Sequence, residues 1–242
     1  MTASREPLVL AEPDVPFWGF GEIFLTIAVF LTALGLAAGI AAHYLHDDAK
    51  LGYWAVAQEF TAYAVLFTAL KLLFHLQHKP LLASLGWVSQ RFRPGTLLGV
   101  GFGLFLISVS LQILLQTPEL QTPFDKLINS DPRSRIAIAI FGVTVAPVVE
   151  ELLFRGLLQP VLMNAAGVFP GILITAALFG ALHLTQNAWL WQSGVLITVA
   201  GFGFGVIRHI TGSTKASSLT HIAYNAVPCF VTLLQGAPTN HK

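Results

Sequence analysis

Charge is scarce in this chain: only 10% of its 242 residues are Asp, Glu, Lys or Arg, against about 25% in ordinary soluble domains. With 55% of residues hydrophobic and a mean hydropathy of +0.70, the composition is that of an integral, multi-pass membrane protein whose first partner is the lipid bilayer. Cysteine is nearly absent as well. Cys229 stands alone, which excludes an intramolecular disulfide and any cysteine-based metal site and leaves the redox compartment open. Three chemical signatures are also missing: there is no His-Glu-x-x-His, no Gly-x-Ser-x-Gly, and no aspartate inside any predicted span. Zincin, serine-nucleophile and aspartyl-dyad routes to peptide hydrolysis are thereby removed. No internal repeat, low-complexity tract or soluble appendage interrupts the sequence, and no nucleic-acid partner is expected, so residues 1–242 read as one integral-membrane domain.

What is present is a series of apolar runs, each near the ~20 residues a helix needs to cross a bilayer. They lie at 17–42, 54–76, 96–115, 136–162, 168–185, 195–207 and 216–234, and they predict an all-α, polytopic transmembrane helical bundle of about seven to eight helices. The N-terminal helices occupy about 17–115 and a second, motif-bearing group about 135–236. Arg5, Glu6, Glu12 and Asp14 precede a first apolar run far longer than a signal-peptide core, so it reads as a retained helix. Tyr44, Tyr53, Trp54, Trp87, Trp189 and Trp191 fall near predicted helix ends, as an interfacial aromatic belt places them. If helices alternate, the N-terminal side collects Arg5, Lys79, Arg91, Arg93, Arg208 and Lys215, and the opposite side Lys50, Lys126, Arg133, Arg135 and Lys242. The expectation is an N-terminus inside, in a prokaryotic inner membrane. The loop at 116–134, with Pro118, Pro123 and Pro132 and a short amphipathic piece at 124–128, reads as a connector. Gly99, Gly101 and Gly103, like Gly201, Gly203 and Gly205, read as small-residue faces for close helix packing.

Polarity is concentrated in the C-terminal half. Glu150 and Glu151 sit inside the 136–162 run, where one carboxylate near the bilayer centre costs roughly 2.5–3.5 kcal/mol on insertion scales. Such groups mark function. Glu151 and Arg155 are four apart with the acid N-terminal, the favourable order for a helical pair, while Glu150 is rotated about 100° away. Different duties follow for the two acids: Glu151 held ionised by Arg155, Glu150 free to face a cavity. Pro147 removes a backbone donor, frees the carbonyl of Val143 and kinks the helix beside the acids. Phe179 and His183 share one helix face, and His221 and Asn225 share another. Polar side chains in a bundle turn toward one another or toward water, so the three helices are expected to converge their polar groups. A carboxylate and an imidazole in a low-dielectric pocket suit the activation of water. His221 and Asn225 offer an N–H pair for an oxyanion.

Several other polar residues carry a plainer reading. His75 and His78 are three apart but flanked by Lys71 and Lys79, which fits an interface in water better than a metal. Glu22, Glu59 and Lys71 lie within a few turns of span ends and are expected to snorkel or pair. Tyr224, adjacent to Asn225 on a helix, is expected to point elsewhere.

Three short motifs stand in order: Glu150-Glu151-Leu152-Leu153-Phe154-Arg155, Phe179-Gly180-Ala181-Leu182-His183 and His221-Ile222-Ala223-Tyr224-Asn225. Together they resemble the Glu-Glu-x-x-x-Arg, Phe-x-x-x-His and His-x-x-x-Asn motifs of the CAAX-protease and bacteriocin-processing (CPBP, or Abi) family of intramembrane endopeptidases, over about residues 136–234. The resemblance implies a glutamate-type endopeptidase with its catalytic cavity inside the bundle. It implies Glu150 as the base, His183 as its partner in activating water, His221 and Asn225 as oxyanion stabilisers, and Glu151, Arg155 and Phe179 in support. No cofactor is implied; the alternative is zinc, held by Glu150, His183 and His221. The substrate would be a peptide or protein, lipidated or not. The family also contains bacteriocin-immunity and scaffolding members, so a non-proteolytic scaffold on the same fold is the alternative function. A proton-relay transporter is disfavoured, because matching broken helices in the two halves are not seen.

Overall fold

Prolines and short polar side chains set where the helices begin. The computed structural model describes residues 16–44 and 51–234; Arg5, Glu6, Glu12, Asp14, Asp47, Asp48, Lys50 and Lys242, on which the expected orientation partly rests, lie outside them. Helices α1 (Phe20–Tyr44) and α2 (Leu51–Leu76) pack on each other, and a single turn, α3 (Leu81–Ser84), follows. Helix α4 (Pro94–Leu114) starts with Pro94 in its first turn behind an extended Arg93, where the missing N–H is no loss. Helix α5 (Pro123–Ile128) opens on a capping box, in which the Thr122 hydroxyl accepts from Asp125 N at 3.1 Å and the Asp125 carboxylate accepts from Thr122 N at 2.9 Å. Asp131 caps α6 (Pro132–Val143), accepting from Arg133 N at 2.8 Å and Ser134 N at 3.3 Å. The Ser134 hydroxyl, followed by those backbone N–H groups, holds the Asp131 acid below its usual range.

One 35-residue apolar stretch, Pro132–Ala166, then crosses the bundle with two irregularities. The first is at Thr144 (φ −116°, ψ −70°), which separates α6 from α7 (Val145–Glu151). Pro147 explains it, because the proline has no N–H to offer the Val143 carbonyl. The second is a π-helical segment, Leu152–Leu158, between α7 and α8 (Gln159–Ala166). Pro160 likewise has no N–H for Gly156, and wider turns of this kind recur at functional sites. Helices α9 (Val168–Leu182), α10 (Trp191–Thr211) and α11 (Thr214–Leu234) complete the bundle, α10 ending at Gly212 in the left-handed conformation (φ 65°).

The all-α membrane bundle expected from the sequence is what the chain forms. Among the described residues, five helices are long and apolar enough to cross a membrane: Phe20–His43, Leu51–Leu76, Pro94–Leu114, Pro132–Ala166 and Trp191–Thr211. Helix α9 is equally apolar but has 15 residues, roughly 22 Å of rise against a hydrocarbon core of about 30 Å. Helix α11 has the length, and it turns its polar side inward: Ser217, Ser218, Thr220 and His221 are all buried. It packs on α4, α6 and α10.

Close approach of these helices depends on some of the glycines expected to provide it. A Cβ on Gly101 would lie 2.2 Å from the Thr220 carbonyl oxygen, and one on Gly205 2.8 Å from Ile172. Gly99 and Gly103, by contrast, face nothing within 4 Å. The expectation of one continuous small face is corrected, since positions two apart on a helix point about 200° from each other. The segment 116–134 is also more than a connector. Phe124 N donates to the Gln186 carbonyl at 3.2 Å, and α5 forms part of a cavity wall.

Candidate active site

A cavity of about 380 Å³ opens among α2, α5, α6, α7, α9, α10 and α11. Its walls are mainly apolar, with Ile138, Phe141 and Ile197 among them, and Glu59, Glu150, His183, His221 and Asn225 supply its polar groups.

The two adjacent glutamates part company, as their 100° offset on the helix requires. Glu151 is fully buried, and its Oε1 accepts from Arg155 Nη1 at 2.9 Å. Glu150 keeps a side chain 20% exposed and lines the cavity. Arg155 is itself 0% exposed and donates from Nη2 to the Gly201 carbonyl at 2.8 Å. Its guanidinium carbon lies 4.6 Å from the ring centre of Phe179 and 5.4 Å from that of Phe204, a desolvated cation against aromatic faces. One turn on, Gln159 repeats the grip, Nε2 donating to the Gly205 carbonyl at 3.1 Å. Two side chains four apart thus hold two carbonyls four apart, and the missing Cβ atoms of Gly201 and Gly205 give them room: a Cβ on Gly201 would meet Arg155 Nη2 at 3.1 Å. The part played by Gln159 escaped the sequence reading, although its place four residues after Arg155 was a signal.

His221 lies between the two acids. Its Nδ1 is 3.1 Å from Glu151 Oε1 and its Nε2 is 3.7 Å from Glu150 Oε2. The ring stacks on Phe204 with centres 4.3 Å apart and meets Phe179 edge-on at 5.8 Å. Because Glu151 is already paired with Arg155, the Nδ1 position is best filled by an N–H donor, which sets the ring orientation. His183 faces the cavity from the end of α9, with Nδ1 2.8 Å from the Phe179 carbonyl oxygen. A carbonyl can only accept, so that nitrogen carries the proton and Nε2 is the acceptor. Among the described residues no contact within 4.0 Å joins His183 to Glu150; the imidazole beside Glu150 is His221. Asn225 donates one amide hydrogen to the Gly142 carbonyl at 2.8 Å and has a second to offer.

Glu59 was expected near an interface and lies instead on the cavity wall, accepting from the Tyr63 hydroxyl at 2.9 Å. Its position nine residues into α2, roughly 12 Å from the helix start, was the available signal. Tyr224 also lines the cavity while its hydroxyl donates to Ser108 at 3.0 Å. His75 and His78 are exposed, as expected of interfacial groups. Among the described residues, no three His, Cys, Asp or Glu side chains gather closely enough to hold a metal ion.

Comparison with known proteins bears on the same segment. Residues 132–227 match the family model Rce1-like, type II CAAX prenyl endopeptidase, a stretch that contains Glu150, Glu151, Arg155, Phe179, His183, His221 and Asn225. No curated protein and no solved structure matches the chain.

Proposed function

We propose, from the match over residues 132–227 that sets this chain with the CAAX-type intramembrane proteases, that it is a glutamate-type endopeptidase hydrolysing a peptide bond with water and without a covalent enzyme intermediate. Glu150 takes a proton from a cavity water while His183 Nε2 holds the same water, and the oxygen attacks the peptide carbonyl carbon. The oxyanion is met by the second amide hydrogen of Asn225 and by His221, acting as an imidazolium that is paired with Glu151 through Nδ1 and donates from Nε2. A proton then reaches the leaving nitrogen, the C–N bond breaks, and a carboxylate and an amine are released. Glu151, Arg155 and Gln159 keep α7 and the π-segment locked to α10, which fixes the position of Glu150.

The observation that carries this reading is the approach of Glu150 and His221 to 3.7 Å within a cavity that His183 and Asn225 also line. The pairing of His221 Nδ1 with a carboxylate backed by arginine supports the assigned tautomer. The cavity volume of about 380 Å³ falls in the range of ordinary ligand sites, enough for a few residues of an extended peptide. Metal-free chemistry is part of the proposal. The purified protein and Glu150→Ala, each with and without a strong zinc chelator, would be compared on a peptide library that includes a prenylated CAAX peptide. Cleavage that survives chelation and vanishes in the variant supports the glutamate mechanism. Loss on chelation would establish a metal enzyme, and cleavage retained by the variant would remove Glu150 from the chemistry.

A further inference from the structure

Resting on that reading, we infer that Glu59 is a second catalytic carboxylate of this cavity, the acid that protonates the leaving nitrogen while Glu150 serves the water.

Glu59 belongs to none of the three motifs and stands outside the matched segment 132–227, on α2 rather than on the helices that carry the site. It nonetheless lines the same cavity as Glu150 and His183, and both lie within electrostatic reach of it. Among the described residues no cationic side chain comes within salt-bridge distance of it. A carboxyl group inside a span with no ion-pair partner is expensive to keep and is by default a functional group. Its one hydrogen bond leaves it free to act. The Tyr63 hydroxyl donates to Oε1 at 2.9 Å, and Oε2 remains for a proton.

The support behind this carboxyl is rigid. Tyr63 is 6% exposed and its ring stacks against Phe30, with centres 5.7 Å apart, and against Phe141 at 6.0 Å. Tyr63 also belongs to the buried cluster formed with Phe141 and Val149, the residue before Glu150. One tyrosine therefore holds the Glu59 carboxyl and packs on the backbone that presents Glu150. A substrate carbonyl lying between α2 and α7 would have Glu150 on the side of the attacking water and Glu59 on the side of the departing nitrogen.

The protons balance. Glu59 enters as the acid and gives its proton to the nitrogen as the C–N bond breaks, and Glu150 ends with the proton taken from water. Transfer from Glu150 to Glu59 through His183 and cavity water resets both.

The test compares two substrates of one sequence, a peptide amide and the corresponding p-nitrophenyl ester, whose phenolate leaves without being protonated. Wild type, Glu59→Gln, Glu59→Asp, Tyr63→Phe and Glu150→Gln would be assayed in the same detergent. Glu59→Gln is expected to lose about 10²-fold or more in kcat on the amide, the scale of general acid catalysis. It should keep its KM and cleave the ester within a few fold of wild type. Glu59→Asp should recover part of the amide activity, and Tyr63→Phe should lower the amide rate more than the ester rate. The ratio of the two rates is read on one preparation, so a partly unfolded variant does not disturb it. Equal loss on both substrates, total loss included, or no loss on either, overturns the role of Glu59. Glu150→Gln should lose both substrates together; if it retains them, the underlying mechanism fails and not only this extension of it.

Discussion

Replacing Arg155 with methionine removes a fully buried cation while keeping an unbranched chain between Phe179 and Phe204. Three contacts vanish: the 2.9 Å bond to Glu151, the 2.8 Å bond to the Gly201 carbonyl, and the guanidinium faces on two aromatic rings. Glu151 is left 0% exposed, with His221 as its remaining partner. Breaking one side of a buried ion pair costs about 3–5 kcal/mol, mainly because the surviving charge stays desolvated. At about 2–4 °C per kcal/mol for a chain of this length, the unfolding midpoint in detergent should fall by roughly 6–20 °C. Glu151→Gln in the same background removes the orphaned charge and still leaves an oxygen to accept from His221 Nδ1. The double variant should therefore recover at least half of the loss, since replacing both members of a buried pair is often close to neutral. Thermal unfolding followed by size-exclusion recovery would measure all four corners of the cycle. A single variant as stable as wild type, or a double variant no better than the single, would refute the claim that this pair is the structural anchor of the site.

Helix packing offers a sharper contrast. Gly101→Ala places a Cβ 2.2 Å from the Thr220 carbonyl oxygen and should cost about 1–3 kcal/mol by overpacking, whereas Gly99→Ala and Gly103→Ala, with nothing within 4 Å, should be neutral or slightly stabilising; equal unfolding midpoints for all three would contradict the α4–α11 contact. Asp131→Ala should lower the unfolding midpoint by removing the cap of α6. Because the Asp131 acid is held below its usual value of 3.8, chiefly by the Ser134 hydroxyl, the capping advantage is present above that value and is lost as pH falls through the folded-state pKa; a difference between wild type and variant that grows toward low pH has the wrong sign. Gln159→Leu deletes the bond to the Gly205 carbonyl and should destabilise by about 1–3 kcal/mol for the polar group left unpaired, read as an unfolding midpoint against Gln159→Glu.

Much of this architecture was legible because a bilayer demands long apolar helices. The runs at 17–42, 54–76, 96–115 and 216–234 each coincide with a single helix, and 136–162 with the broken one. Hydropathy is blind to breaks inside an apolar run, so the interruption at Thr144 was legible through Pro147 and the π-segment went unread even though Pro160 marks it. The 195–207 run fell short of α10 because Gln192, Ser193 and Arg208 carry polarity onto the ends of a helix that starts at Trp191 and runs to Thr211. The site was legible where polar residues stood out against apolar neighbours, as Glu150, Glu151, Arg155, His183, His221 and Asn225 do. Which imidazole adjoins Glu150 depends on the rotation of α11 against α7, a property of packing that no single-helix spacing encodes. Glu59 was misjudged because distance from a span end was read as solvation, whereas nine residues into α2 the side chain is deep and turned to the cavity.

The most direct test of the account is peptide-bond cleavage followed by mass spectrometry on one substrate, with wild type, Glu150→Gln, His183→Ala, His221→Ala and Asn225→Ala reconstituted in identical lipid vesicles. The account predicts loss of about 10²-fold or more in each variant, with unfolding midpoints showing that the bundle is intact. A Glu150→Gln protein that is folded and cleaves at the wild-type rate would contradict it.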